Sequence, residues 1–492
     1  MTLRTSDTRP AVEPSADELE RALRPLVDGA GARGRQVLVS VTIAIPWRDP
    51  IALFGAARAA GGEPMLWLQP GAGFGLVAIG TAWALRPTGP GRFQQAALAW
   101  RDLLDGARLA GVSTGARGTG PLLLGGFGFR AEPSTEPTWR GFERDRLVLP
   151  SLLVSIGDGA AWLTANVVVP DNGAEGDGPA VTRRVAELWA AVEGGGRNGA
   201  GEAAWLAADR PAAPATLRIS GLQPGPGEWR ASVGRLAGAV GRGRADKVVL
   251  ARRVDLVADA PIDPSVALRR LEVTAPESTI FALTRHGRTF LGATPERLAR
   301  VNGRTFRTIA LAGSIGRDVD PAEDERLAAE LLASAKDREE HEVVVAMLRR
   351  TLAPLAEELE VAPGPVVVTL RHVQHLATEV RGRLHQRAGV LSLVERLHPT
   401  PAVGGAPREL ALELIRAEER LDRGWYAGPL GWLDRHDDGE FVVAIRSGVV
   451  EDHRASLFAG CGIVADSDPD REWAESVIKL DAVASALGRL QQ

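Results

Sequence analysis

The chain has 492 residues, 45% apolar and 24% charged, with a net charge of −4. Such a composition suits a globular protein with a large core, and the lack of a basic excess argues against nucleic acid as a partner. The one cysteine, Cys461, excludes an internal disulfide and a cysteine-built metal site. No window reaches about 18 uncharged apolar residues, and the nearest, around 72–85, is too short and glycine-rich to span a bilayer. The opening MTLRTSDTRPAVEPSADE lacks the apolar stretch of a secretory signal, so a cytoplasmic location with no membrane partner is expected.

Residues 1–16 read as disordered, and a helix is expected at 17–28. VLVSVTIAI (37–45) is a strand that Pro46 ends. A short helix at 51–60, a strand at 63–70 and a strand pair or bulged strand at 73–85 follow. Apolar spacing predicts a helix over 92–108. Strands return at 120–130, 146–156 and 160–169. Breaker-rich loops at 171–179 and 193–201 flank a helix at 180–192. After 211–227 a helix (228–245) and a strand (246–256) open a denser half. Residues 17–215 read as scaffold, and 216–492 as the region that carries the chemistry.

Lys247 heads the mostly apolar strand KVVLAR. It either snorkels at an edge or is buried and able to act as a base. In GATPERLAR, Glu296 follows a turn, either as a helix-cap acid or aimed back over a sheet. LAGSIGR places Gly313 and Ser314 after a strand, where backbone N–H groups can hold an anion. The helix SAKDREEHEVVVAMLRR carries Asp337 and Glu340 three residues apart, with Val343, Val344 and Met347 suited to the core. His375 lies in a strand, where it would ordinarily be a satisfied core residue. HPTPAVGG (398–405) is a proline-fixed loop containing Ala402. GWYAGPLGW and FVVAIRSGVV read as paired strands carrying Tyr426, the only tyrosine, and Arg446, which calls for an anion. Near the end, AGCGIVADSDPDREWAESVIK sets a glycine cradle before a helix capped by Asp468 with Pro469 at its first position. Glu472, Glu475 and Lys479 share one face of that helix, as a solvated ion-pair face would also have them. Four acids in two i,i+3 pairs would repel one another if they converged, and a bound Mg2+ would remove that penalty.

Taken together and in this order, KVVLAR, GATPERL, LAGSIGR, SxKDxxEH, VQHL, HPTPAVGG, WYAGPLGW, AIRS and GCGIVADSDP resemble the chorismate-utilising enzymes. The resemblance is strong over 220–492 and loose before it. It implies an α+β fold of two stacked, mainly antiparallel sheets flanked by helices, chorismate as substrate and Mg2+ as cofactor. By the same resemblance Lys247 activates water for attack at ring C2, and Glu296 protonates the departing C4 hydroxyl. Glu340 and Glu475 are the principal metal ligands, with Asp337 and Glu472 beside them. Tyr426, Arg446, Gly462 and Lys479 hold substrate carboxylates, while Gly313, Ser314 and His375 line the pocket. Cys461 stands where the family commonly has alanine, which would bring a thiol near the substrate. Lys247 and the LAGS form point to an isochorismate synthase rather than an ammonia-using relative, so no amidotransferase subunit and a monomer are expected. Ala402 stands where salicylate-forming relatives tend to carry threonine. A salicylate synthase and a non-catalytic ligand-binding homologue remain the alternatives. Menaquinone and siderophore biosynthesis are equally open as the destination of the product.

Overall fold

The computed structural model describes residues 13–28, 30, 35–112, 115–132, 134, 136–170, 178–197, 215–369, 373–385 and 388–491. Residues 1–12 of the expected disordered segment lie outside these, as do 171–177 and 198–201 of the two breaker-rich loops and 211–214 of the stretch where the composition shifts. Two compact units emerge. One combines Met1–Leu85, Leu98–Leu124 and Val148–Ala212, and the other combines Arg86–Ala97, Gly125–Leu147 and Ala213–Gln492.

In the first unit the strands run in the order Met65–Gln69, Phe74–Ile79, Leu152–Gly157, Ala160–Val169, Val37–Ile45, Arg108–Gly111. All neighbours are antiparallel except the last pair. Val37–Ile45 is buried along most of its length, and its two buried hydroxyls are satisfied by the neighbouring strand, Ser40 bonding to Asn166 and Thr42 to Thr164. The helix expected at 180–192 runs on to Arg197, through the glycines that were read as a loop.

The second unit holds two mostly antiparallel sheets with helices against them. Strands of the first sheet run Arg489–Leu490, Thr216–Gln223, Lys247–Ala258, Arg454–Ile463, Ser447–Glu451, Arg288–Thr294, Thr279–Arg285. The second sheet includes Ala356–Val361, Val373–Leu384, Thr305–Gly316, Arg297–Asn302, Gly439–Val443 and Pro429–Asp434, in that order. Helix starts are strongly marked. Asp263, Asp320 and Asp468 each cap a helix with a side-chain oxygen, and a proline follows each at the first helical position.

The chain passes between these two sheets at two corners. Pro295 and Glu296 link Arg288–Thr294 to Arg297–Asn302, while Ala444, Ile445 and Arg446 link Gly439–Val443 to Ser447–Glu451. The corners are bonded to each other. Val443 N donates to Glu296 O (3.0 Å), Ala293 N donates to Arg446 O (3.1 Å), and Thr294 Oγ1 donates to Val443 O (2.7 Å).

Three expectations are corrected here. Tyr426 and Arg446 do not sit within paired strands: Tyr426 precedes Pro429–Asp434, and Arg446 occupies the corner with a left-handed φ of 51°. The apolar residues resume beyond a break that only the backbone dihedral reveals. Gly313 is not a turn after a strand but a bulge inside Thr305–Gly316, where φ is 76° and the register against Val373–Leu384 slips. On the helix Ala335–Leu352 the core face is His341, Val344, Val345, Leu348 and Leu352, with Val343 exposed.

Candidate active site

All fourteen residues singled out from the sequence as site candidates line one cavity of about 360 Å³ in the second unit. Lys247, the first residue of its strand, is buried, and its Nζ lies 2.5 Å from Glu340 Oε1. The burial reading of Lys247 therefore holds over the snorkelling one. The neighbouring strand makes room for it. A Cβ on Gly462 would lie 2.3 Å from Lys247 Cε and 2.9 Å from Nζ, so any side chain at 462 would displace the lysine.

Glu296 is 6% exposed in its corner. Burial pushes its carboxyl up to about 7, partly opposed by the Thr400 hydroxyl and by the charges of Lys247 and Lys479. It is therefore largely protonated on the acid side of neutrality. The cap reading of Glu296 fails, because a strand follows it rather than a helix.

The two acid pairs arrive on separate helices. Ser334 caps the helix Ala335–Leu352, and its hydroxyl bonds to the Asp337 carboxylate. Asp337 packs on the bulge, where a Cβ at Gly313 would meet Asp337 Cβ at 3.1 Å. His341, from the same helix, is buried; its Nδ1 donates to Ala312 O (3.2 Å) and its Nε2 accepts from Thr378 Oγ1 (2.7 Å). This fastens the acidic helix to the bulged strand. On the helix Pro469–Leu487, Lys479 Nζ lies 2.5 Å from Glu475 Oε1 and donates to Gly460 O at 3.0 Å. Burial, and then the adjacent Glu475 charge, push Glu472 up to about 7. Desolvation would raise Glu475 as well, but Lys479, Lys247 and Arg446 outweigh it and leave that carboxyl below the usual range.

Among the described residues Arg446 makes no ion pair, and desolvation lowers its affinity for its proton. A cation in a cavity wall with no direct ion-pair partner suits an anionic ligand. Tyr426 stacks on Phe458, with centroids 5.3 Å apart and planes 18° apart, and burial pushes its phenol up to about 12, so the hydroxyl stays a neutral donor. His375 is pulled down to about 3 by desolvation and then by Arg446 and Lys479. Its Nδ1 donates to Gly313 O (3.3 Å), which leaves Nε2 as an acceptor.

A model of the chorismate binding enzyme family matches residues 24–488. This chain belongs to that family. It is 37% identical over 463 residues to the salicylate biosynthesis isochorismate synthase of Pseudomonas aeruginosa, covering 94% of this chain and 92% of that one. It is 34% identical over 462 residues to the isochorismate synthase MenF of Bacillus subtilis, covering 92% and 94%. Among solved structures, the menaquinone-specific isochorismate synthase MenF from Escherichia coli shares the fold, with a TM-score of 0.74 and 24% identity over 95% of this chain and 99% of that one.

Four residues of this chorismate-binding enzyme escaped the sequence reading. Arg423 and Glu419 form a buried ion pair. Arg423 Nη2 donates to Val249 O (2.8 Å), Glu419 Oε2 accepts from Ala251 N (3.0 Å), and Arg423 Nη1 donates to Val403 O (2.7 Å). The pair thus serves bonding groups of the lysine strand and ties that strand to the 398–405 loop. The two residues are four apart, but the segment between them is not helical, so helical spacing gave no signal. Thr400 and His341 were likewise passed over; each lay inside a quoted motif but showed no chemistry of its own.

Cys461 does not bring its thiol to the substrate side. Strand alternation sends it to the face opposite Gly460 and Gly462, where it is fully buried and bonds to Glu472 O at 3.1 Å. Burial raises its pKa far above the ordinary thiol range. The native enzyme should therefore resist alkylation at Cys461, with modification appearing only on unfolding. Intact-mass measurement with iodoacetamide, with and without guanidinium, checks this, and rapid labelling of the folded enzyme would overturn it.

No helix among the described residues is long and apolar enough to cross a membrane.

Proposed function

We propose that this enzyme is an isochorismate synthase, converting chorismate to isochorismate. The observation that carries this reading is that Lys247, at the head of its strand, and Glu296, a carboxyl raised to about 7 in the corner between two others, face one cavity. Moving a hydroxyl across a ring requires one group to take a proton from water and another to give a proton to the departing oxygen. Glu296 holds its proton near neutral pH, so it serves as the donor at C4. Lys247 takes the proton from the water that attacks C2. Arg446, Lys479 and the Tyr426 hydroxyl orient the substrate dicarboxylate.

The acid set fits Mg2+. Glu472 Oε2 is buried without a hydrogen-bond partner, next to the charge of Glu475, and carboxylates with added substrate oxygens are what this ion prefers. Glu340, Glu475, Asp337 and Glu472 would hold it. Bound there, the ion supplies positive charge to a substrate carboxylate. We read the enzyme further as a cytoplasmic monomer that needs no amidotransferase subunit.

Ala402 in the cavity wall offers no hydroxyl to hold the product for further reaction. Incubation with chorismate and Mg2+ should therefore yield a mixture of chorismate and isochorismate by mass analysis, with pyruvate at trace level in a lactate dehydrogenase-coupled assay. Ala402→Thr should raise pyruvate modestly. Stoichiometric pyruvate from the unmutated enzyme would replace this reading with salicylate synthase.

A further inference from the structure

We propose that Thr400 is a positioning residue for the acid: its hydroxyl fixes which oxygen of the Glu296 carboxyl carries the proton. The inference rests on the reading of Glu296 as proton donor. Thr400 Oγ1 donates to Glu296 Oε1 at 3.1 Å, and both residues are buried. A carboxyl that receives a hydrogen bond on one oxygen carries its own proton on the other. Oε1 is the acceptor, so the transferable proton resides on Oε2 of a side chain that lines the cavity.

The rest of the assembly makes this bond a fixed one. Glu296 N donates to Thr294 Oγ1 (3.2 Å), and Glu296 O accepts from Val443 N (3.0 Å), so its main chain is held on both sides. Thr400 is held in turn. Its carbonyl accepts from Val403 N (3.1 Å) and Gly404 N (2.8 Å), and Arg423 grips Val403 O. The carboxyl end of Glu296 is thus anchored to a loop about a hundred residues distant in sequence, itself braced by a buried ion pair. Without the Thr400 hydroxyl Oε1 loses the donor that reserves it as the acceptor, and the proton is presented wrongly part of the time.

The same bond leaves a titration signature. Donation to the carboxyl favours its ionised form, so losing the hydroxyl makes Glu296 release its proton at higher pH. Lys247 from its strand and Lys479 from the C-terminal helix act on Glu296 in the same direction, and both remain in the variants proposed here.

The test compares Thr400→Val, nearly isosteric but without the hydroxyl, with Thr400→Ser, in the full chain with Mg2+ and chorismate. Thr400→Val should lower kcat about tenfold, the size of one lost hydrogen bond, with KM changed by less than about twofold. The basic limb of its kcat/KM profile, which reports the free enzyme, should move to higher pH. Thr400→Ser should restore both. Normal kcat and pH profile in Thr400→Val would overturn the proposal, as would a serine variant no better than the valine one, since packing would then be the cause. Failure of the unmutated enzyme to convert chorismate would sink the proposed function instead. In that event 13C-glutamate NMR, with Glu296→Gln to assign the signal, still decides: equal Glu296 titration midpoints in Thr400→Val and the unmutated protein would overturn the hydrogen bond's role.

Discussion

Glu296→Gln and Lys247→Ala should each lower turnover by at least about a hundredfold, the usual contribution of a positioned general acid or base. The glutamine substitution is the cleaner of the two. It keeps the shape of a buried side chain and can still accept from Thr400 Oγ1, but it has no proton to give to a departing oxygen. KM should therefore change little while kcat falls, the mark of an interaction made in the transition state. The pH dependence follows from the same group. An acid catalyst works while protonated, and Glu296 loses its proton around 7, so kcat/KM should decline as pH rises through that range. Lys247→Ala also removes the cation against Glu340, so circular dichroism should accompany the kinetics to show that the fold survives. Near-normal turnover in either variant would strike that residue from the mechanism.

Chelation should bring turnover to background, and added Mg2+ should restore it. The argument is electrostatic. Glu475 sits close enough to disfavour the ionisation of Glu472, and Glu472 keeps a buried oxygen without a partner. Native structures seldom leave such groups unsatisfied, and a divalent cation answers both the repulsion and the missing partner. Glu340→Gln and Glu475→Gln should abolish activity and, read independently of activity, weaken binding of Mn2+ followed by electron paramagnetic resonance. Full activity in excess chelator, or unchanged Mn2+ binding in both variants, would refute the metal assignment.

The chemistry was legible in the sequence because it travels in short motifs. Asp468 and Pro469 announce the C-terminal helix, and the i,i+3 spacing of Glu472 and Glu475 then places both acids on one face. What stayed hidden depends on contacts between distant segments or on backbone dihedrals. Arg446 stands inside an apolar run, and nothing in that run shows that the chain turns left-handed there and changes sheets. Cys461 was drawn to the cavity by its glycine neighbours, yet the period of two in a strand sends it the other way. The pairing of Arg423 with Glu419 becomes meaningful only when the lysine strand and the 398–405 loop lie beside it. Gly462, read as a ligand contact, lines the cavity, and its missing side chain is also the space in which Lys247 lies, a role that only the packing reveals.

The two bonded corners bear on when the enzyme first becomes competent during its synthesis. Thr294 and Val443, joined by a hydrogen bond, are 149 residues apart in the chain, and closures over such distances are slow and late in folding. Lys479 comes from the final helix. A ribosome must therefore have made the chain through Lys479 before that residue can meet Lys247 and Glu296 in the cavity. Nascent chains stalled before Pro469–Leu487 should be inert however well their earlier strands have folded.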